Sequence, residues 1–119
     1  MTINSRTKGC AGEREVRDLV IKAGFSARRG QQFSGSPDSP DVVHDLPLGI
    51  HIEVKRTERL NMYDAFEQAV RDAGAGAIPT VWHRRSRKPW LVMLPAGDFL
   101  ELVKKAASVG VVPIEDFLS

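Results

Sequence analysis

A single cysteine, Cys10, among 119 residues excludes an internal disulfide and fits a reducing, cytoplasmic setting. No apolar run approaches the roughly 18 residues of a membrane span, and the opening MTINSRTKGC has no apolar core of the kind a secretory signal needs. The sequence contains no Gly-rich phosphate loop, so no nucleotide cofactor is expected. Cys10, His44, His51 and His83 have no zinc-ligand spacing, which rejects a zinc site. Low-complexity tracts and internal repeats are missing too. The length fits one domain spanning 1–119, and the 42% hydrophobic and 27% charged content is that of a globular chain.

Net charge is only +2, but it is unevenly distributed. Residues 1–37 hold seven Lys/Arg against three acids, and 38–72 hold four against eight. Arg84, Arg85, Arg87 and Lys88 are the only charges in 73–97. Two basic segments bracketing an acidic middle suit a polyanion gripped around a metal-binding centre, and also suit plain solvated surfaces.

Periodicity predicts a helix over 9–23 (Val16, Leu19, Val20 and Ala23, stopped by Gly24) and a strand over Phe25–Arg29. The Gly-, Ser- and Pro-rich stretch 30–40 reads as a loop. A hairpin is expected next: Asp41–His44, a turn over Asp45–Gly49, then Ile50–Arg56. A second helix over 61–74 carries the stripe Met62, Ala65, Phe66, Ala69, Val70 and Ala73. Strands at Ala77–His83 and Trp90–Leu94, joined by the basic turn Arg84–Pro89, and a helix over Asp98–Ala107 follow. The two Trp residues, each in a strand, are read as packing or interface residues and not as base-stacking platforms. The third and fourth strands, linked by a helix, should be parallel and the others antiparallel, giving an α/β domain with a mixed central β-sheet flanked by helices.

The chemistry lies in Pro40-Asp41 followed, after eleven intervening residues, by Glu53-Val54-Lys55. Alternation sends Ile50, Ile52 and Val54 to a helix-covered face and His51, Glu53 and Lys55 to the other, where the alternative to a site is an ordinary salt-bridge ladder on an exposed strand face. A hairpin would bring Asp41 alongside. Two carboxylates can hold Mg²⁺, with Mn²⁺ a substitute, and a lysine can orient water or offset charge during phosphodiester hydrolysis. Asp41 is preferred to Asp38 because Val42 and Val43 put it at a strand start. Glu13 shares the apolar stripe of the first helix, where an acid requires a nearby cation or serves the helix dipole. Glu15 and Asp18 fall off that stripe and are read as solvated, and Gln68 as a residue reaching towards the site or, the preferred reading, a polar flank of its helix. Arg28, Arg29 and the 84–88 turn are candidate phosphate contacts.

The run Lys8-Gly9, Glu13-Arg14-Glu15, Gly24-Phe25, a Ser-Gly loop, Pro-Asp-Val-Val and Ile-Glu-Val-Lys resembles the archaeal-type Holliday junction resolvases and their phage-encoded relatives, over about residues 6–94. The resemblance implies a PD-(D/E)XK restriction-endonuclease-like core and a homodimer nicking a four-way DNA junction in a bacterial or archaeal host. It matches Glu13 to a helix acid that helps position metal, Asp41 and Glu53 to metal ligands, and Lys55 to the catalytic lysine. Ser34 resembles a loop serine used near the scissile phosphate, with Ser36 an alternative in a longer loop. Lys8 joins the candidate DNA contacts. Other expectations stay open: action on flaps or duplex DNA, or an idle DNA-binding protein with this fold. Val111, Val112, Ile114, Phe117 and Leu118 would cover either a subunit interface or the domain's own sheet.

Overall fold

A computed structural model describes residues 5–30 and 41–110. Helix α1 (Ser5–Lys22) starts four residues before the predicted point and ends in a Schellman cap. There Gly24 takes φ 103°, its N–H donates to Ile21 O, and Phe25 N–H donates to Val20 O. The remaining elements are β1 (Ala27–Arg29), β2 (Val42–His44), β3 (Ile50–Arg56), α2 (Met62–Ala73), β4 (Ile78–Arg84), β5 (Leu91–Met93) and α3 (Ala96–Ser108). Asn61 caps α2, its Oδ1 accepting from Asp64 N–H at 3.1 Å. The element order is the predicted one. Ser34, Ser36, Asp38 and the apolar tail from Val111 to Leu118 lie outside the described residues, as does the side chain of Lys8.

The expected hairpin between Asp41–His44 and Ile50–Arg56 is not there. β2 pairs antiparallel with β1 (Arg28 opposite Val43), while β3 heads a separate sheet ordered β3-β4-β5. Consecutive positive φ angles at Leu48 and Gly49 turn the chain out of one sheet and into the other. β3 and β4 are parallel, as their helical crossover requires, with Ile50 opposite Ile78 and Arg56 opposite Arg84. β4 and β5 are antiparallel.

Helices cover both faces of the mixed sheet. On one, Val16 and Val20 of α1 bury against Ile52 and Val54, joined by Val42 and flanked by Trp82 and Trp90, which are packing residues as expected. On the other, Ala65 and Ala69 of α2 meet Val81, with Leu60, Phe66 and Met93 around them. Burial of each large aliphatic side chain, such as Ile52 or Val16, contributes about 1.5–3 kcal/mol. The predicted helical stripes are wider than the buried ones: Leu19, Met62 and Val70 remain more than two-fifths exposed. α1 lies so close to β3 that a Cβ at Gly12 would stand 2.7 Å from Arg56 Cβ. Helix α3 buries no residue, and among the described residues no helix is long and apolar enough to cross a membrane.

Candidate active site

Strand alternation delivers Glu53 and Lys55 to the face of β3 covered by α2, not to an open surface. Glu53 is only 4% exposed. Its Oε1 lies 3.6 Å from Lys55 Nζ, and its Oε2 lies 3.3 Å from His51 Nε2. Lys55 Nζ also donates to Gln68 Oε1 at 2.8 Å, so Gln68 reaches into the site from α2 and is no mere flank. Two groups fasten the strand beneath. Thr80 Oγ1 donates to His51 O at 2.6 Å, and Trp82 Nε1 donates to Thr80 Oγ1 at 2.9 Å.

Asp41 arrives by another route. The β1–β2 ribbon extends one further bond, Gly30 N–H to Asp41 O, which sets the main chain of Asp41 beside β3. Its Oδ2 then accepts from Val54 N–H at 2.7 Å, taking the position on the edge of β3 where a neighbouring strand's carbonyl would otherwise sit. Asp41 therefore does lie alongside β3, through a side-chain bond instead of a ladder. Burial pushes its carboxyl up to about 7, and the charges of Glu53 and Glu13 push the same way against the Val54 bond and Lys55.

Glu13 also faces inward, and a protein cation accounts for it. Arg29 Nε donates to Glu13 Oε2 at 3.0 Å, and Arg29 Nη2 reaches Cys10 Sγ at 3.1 Å. The Glu13 bond holds the Arg29 guanidinium above its ordinary pKa. Arg29, expected to contact phosphate, is thus committed to fastening β1 onto α1, whereas Arg28 is exposed. Glu15 is not simply solvated: it is half-buried and forms an ion pair with Arg84. Arg85, Arg87 and Lys88 are exposed on the turn before β5, where Arg87 takes φ 65° and Lys88 N–H donates to Arg85 O at 3.1 Å.

A divalent cation fits this donor set. Asp41 and Glu53 are close enough for Glu53 to raise the Asp41 pKa, and a bound cation would relieve both their repulsion and the cost of burial. Among the described residues no three His, Cys, Asp or Glu side chains form a ready-made cage. Mg²⁺ needs none, since it characteristically takes one or two carboxylates and completes its shell with water and substrate phosphate.

A solved structure of Hjc from Archaeoglobus fulgidus, described as a Holliday junction resolvase from an archaeal hyperthermophile, superposes with a TM-score of 0.54. The two are 34% identical, and the match covers 69% of this chain and 72% of that one. The chain belongs to the Hjc family. Its mixed sheet between helices is the fold of that nuclease. Two curated relatives match in sequence, both named large ribosomal subunit protein bL9. The protein from Methylocella silvestris is 30% identical over 73 residues, 61% of this chain and 39% of that protein. The one from Methylorubrum extorquens is 30% identical over 70 residues, 59% and 37% respectively. The chain thus spans under two-fifths of the length of the curated relatives it matches. No protein-family model matches the sequence.

His51 is the site residue that sequence reasoning missed, whereas Gln68 was weighed as a site residue and placed on the flank. His51 had a usable signal, since it shares the strand face of Glu53 and Lys55. Gln68 had a weaker one, as a polar residue between the buried Ala65 and Ala69.

Proposed function

We propose that this protein is a Mg²⁺-dependent, structure-selective DNA endonuclease that acts as a homodimer on four-way junctions. The observation that carries this reading is the convergence of Asp41, Glu53 and Lys55 at one edge of β3, in a chain similar to Hjc over most of its length. Asp41 and Glu53 would hold the cation. When bound, the cation supplies a hydroxide nucleophile and stabilises charge on the phosphate. Glu53 is fixed between His51 and Lys55 and cannot swing away, so the ligand geometry is preorganised. Gln68 holds Lys55 Nζ within reach of the same carboxylate, where the ammonium can orient the attacking water or meet negative charge on the phosphate. Glu13 acts through Arg29 and its field on Asp41, as a positioning residue. A domain with one such centre cuts one strand, so symmetric resolution needs two copies about a two-fold axis.

Titrating Mg²⁺ against a labelled four-way junction and an equal-length duplex tests the reading, alongside the mass in solution by light scattering. Paired nicks that require metal, favour the junction and come from a dimer are expected. A monomer cutting duplex equally well would leave a generic nuclease of this fold. Binding without cleavage at any metal concentration would leave an idle DNA-binding protein.

A further inference from the structure

Helix α3 is left uncovered by its own domain. Among the described residues it buries no side chain, yet Phe99, Leu100 and Val103 lie on its apolar side and are 53%, 59% and 47% exposed. A helix of this length is marginal in water by itself, and packing of an apolar face is what ordinarily holds one. A groove of about 480 Å³ beside Phe99 continues the apolar face across Leu91, Val92 and Met62, and among the described residues no Lys, Arg, Asp or Glu lines it. These six side chains expose on the order of 600 Å², against roughly 800 Å² per partner in a standard interface. A contiguous apolar patch of this size marks an interaction surface, and a centre without charge is typical of interfaces between copies of one chain.

The charges bordering the stripe say which partner fits. Glu101 and Lys104 pair with each other at 3.4 Å on the side away from the stripe. Asp98 in the first turn and Lys105 in the last have no ion-pair partner among the described residues. They are seven residues apart, close to two turns, and so border the stripe on the same flank. The helix dipole favours an acid at one end and a base at the other, but on any flank. A shared flank has a further consequence. When a second α3 lies antiparallel across the first, about a two-fold axis beside Leu102, each Asp98 stands opposite the Lys105 of the other copy.

We propose that α3 is the contact of an isologous dimer, in which a second copy of this chain lays its own α3 antiparallel over the stripe of Phe99 and Val103. The face lies on the β5 side of the sheet, and Asp41 lies at the opposite edge, beside β3, so pairing leaves both candidate centres open. The nuclease reading calls for a dimer and this interface supplies one. The face itself rests on the exposure and charge pattern of α3, not on catalysis.

The test is the dimer dissociation constant by sedimentation equilibrium for wild type, Asp98→Lys, Lys105→Asp, and an equal mixture of those two variants, with folding checked by circular dichroism. Each single reversal should weaken the homodimer about tenfold, because symmetry spoils two charge pairs at once. The mixture should recover wild-type affinity, since a copy with two lysines on the flank then faces a copy with two acids. Val103→Glu, which sets two carboxylates together near the axis, should leave a folded monomer. A wild type that is monomeric at tens of micromolar overturns the interface, as does a folded Val103→Glu dimer. Weakened single variants that do not recover on mixing also overturn it, because the charges then act within one copy. The two readings fail separately. Dimers that ignore all these substitutions and cut junctions remove the interface and leave the nuclease. Dimers that obey them and never cleave in Mg²⁺ keep the interface and remove the nuclease.

Discussion

Replacing Asp41 with Asn should make the metal-free protein more stable at alkaline pH while abolishing cleavage. The carboxyl is pushed from 3.8 to about 7 in the folded chain by burial and by Glu53. The folded state therefore binds a proton that the unfolded state has released, between about pH 4 and 7. Stability falls across that window as pH rises, and the penalty is fully present above pH 7. A shift of some three units corresponds to roughly 4 kcal/mol as an upper figure, at about 1.4 kcal/mol per unit. The Asp41→Asn side chain would keep an oxygen for the Val54 N–H and carry no charge, so most of this penalty disappears. For a domain of this size, recovering about 2–4 kcal/mol raises Tm by on the order of 10 °C. Thermal melts at pH 4 and pH 8 in EDTA read it directly: the variant should lead clearly at pH 8 and hardly at pH 4. Adding Mg²⁺ at about ten times its Kd should return roughly 1.4 kcal/mol to the wild type, and little to the variant. A variant less stable than wild type at pH 8, or an equal gap at both pH values, would refute the account of Asp41 as a charge held at a cost.

Three further outcomes are expected. Lys55→Ala should reduce single-turnover cleavage by about two orders of magnitude or more, and Gln68→Ala by less, because it frees the ammonium without removing it; equal losses in quench-flow assays would contradict the assigned order. Glu13→Gln should slow cleavage at little cost in stability, whereas Arg29→Met should destabilise by about 1–3 kcal/mol through the half-buried carboxylate it strands; a double-mutant cycle by urea denaturation measures the coupling. Gly12→Ala should cost about 1–3 kcal/mol, since its Cβ meets Arg56 Cβ, and a midpoint unchanged from wild type would show that α1 can back away from β3.

The element order was legible because local periodicity suffices to write it. Ala65 and Ala69 at helical spacing, and Ile52 and Val54 alternating with Glu53 and Lys55, each report a face without knowledge of partners. Partner choice was the illegible part. β2 turns to β1 because Ser26 and Asp45 close the end of that ribbon, with Ser26 N–H donating to Asp45 Oδ1 at 2.8 Å and Asp45 N–H to Ser26 O at 3.2 Å. Nothing in Val42–His44 itself forbids pairing with β3. The polar face of β3 looked exposed for a related reason. Glu53, Lys55 and Gln68 satisfy one another, so a covered face carries the residues of an open one. Glu15 escaped for a third reason, because its partner Arg84 lies 69 residues away and no spacing rule connects them.

The geometry joins two roles in Asp41 that pull in opposite directions. Among the described residues β3 has a hydrogen-bonded neighbouring strand on one side only, β4, which leaves N–H groups along its other edge. Asp41 meets the Val54 N–H with a carboxylate, anchored from behind by the Gly30–Asp41 backbone bond and by the Arg29–Glu13 pair that holds the ribbon to α1. A backbone carbonyl would cap that edge at no electrostatic cost. A charged side chain caps it while staying within the field of Glu53, and accepts both burial and repulsion to do so. An edge that needed only covering would be better served by a neutral acceptor. On the nuclease reading proposed above, a carboxylate at this position would serve the cation, and the two-stranded ribbon would hold it in place.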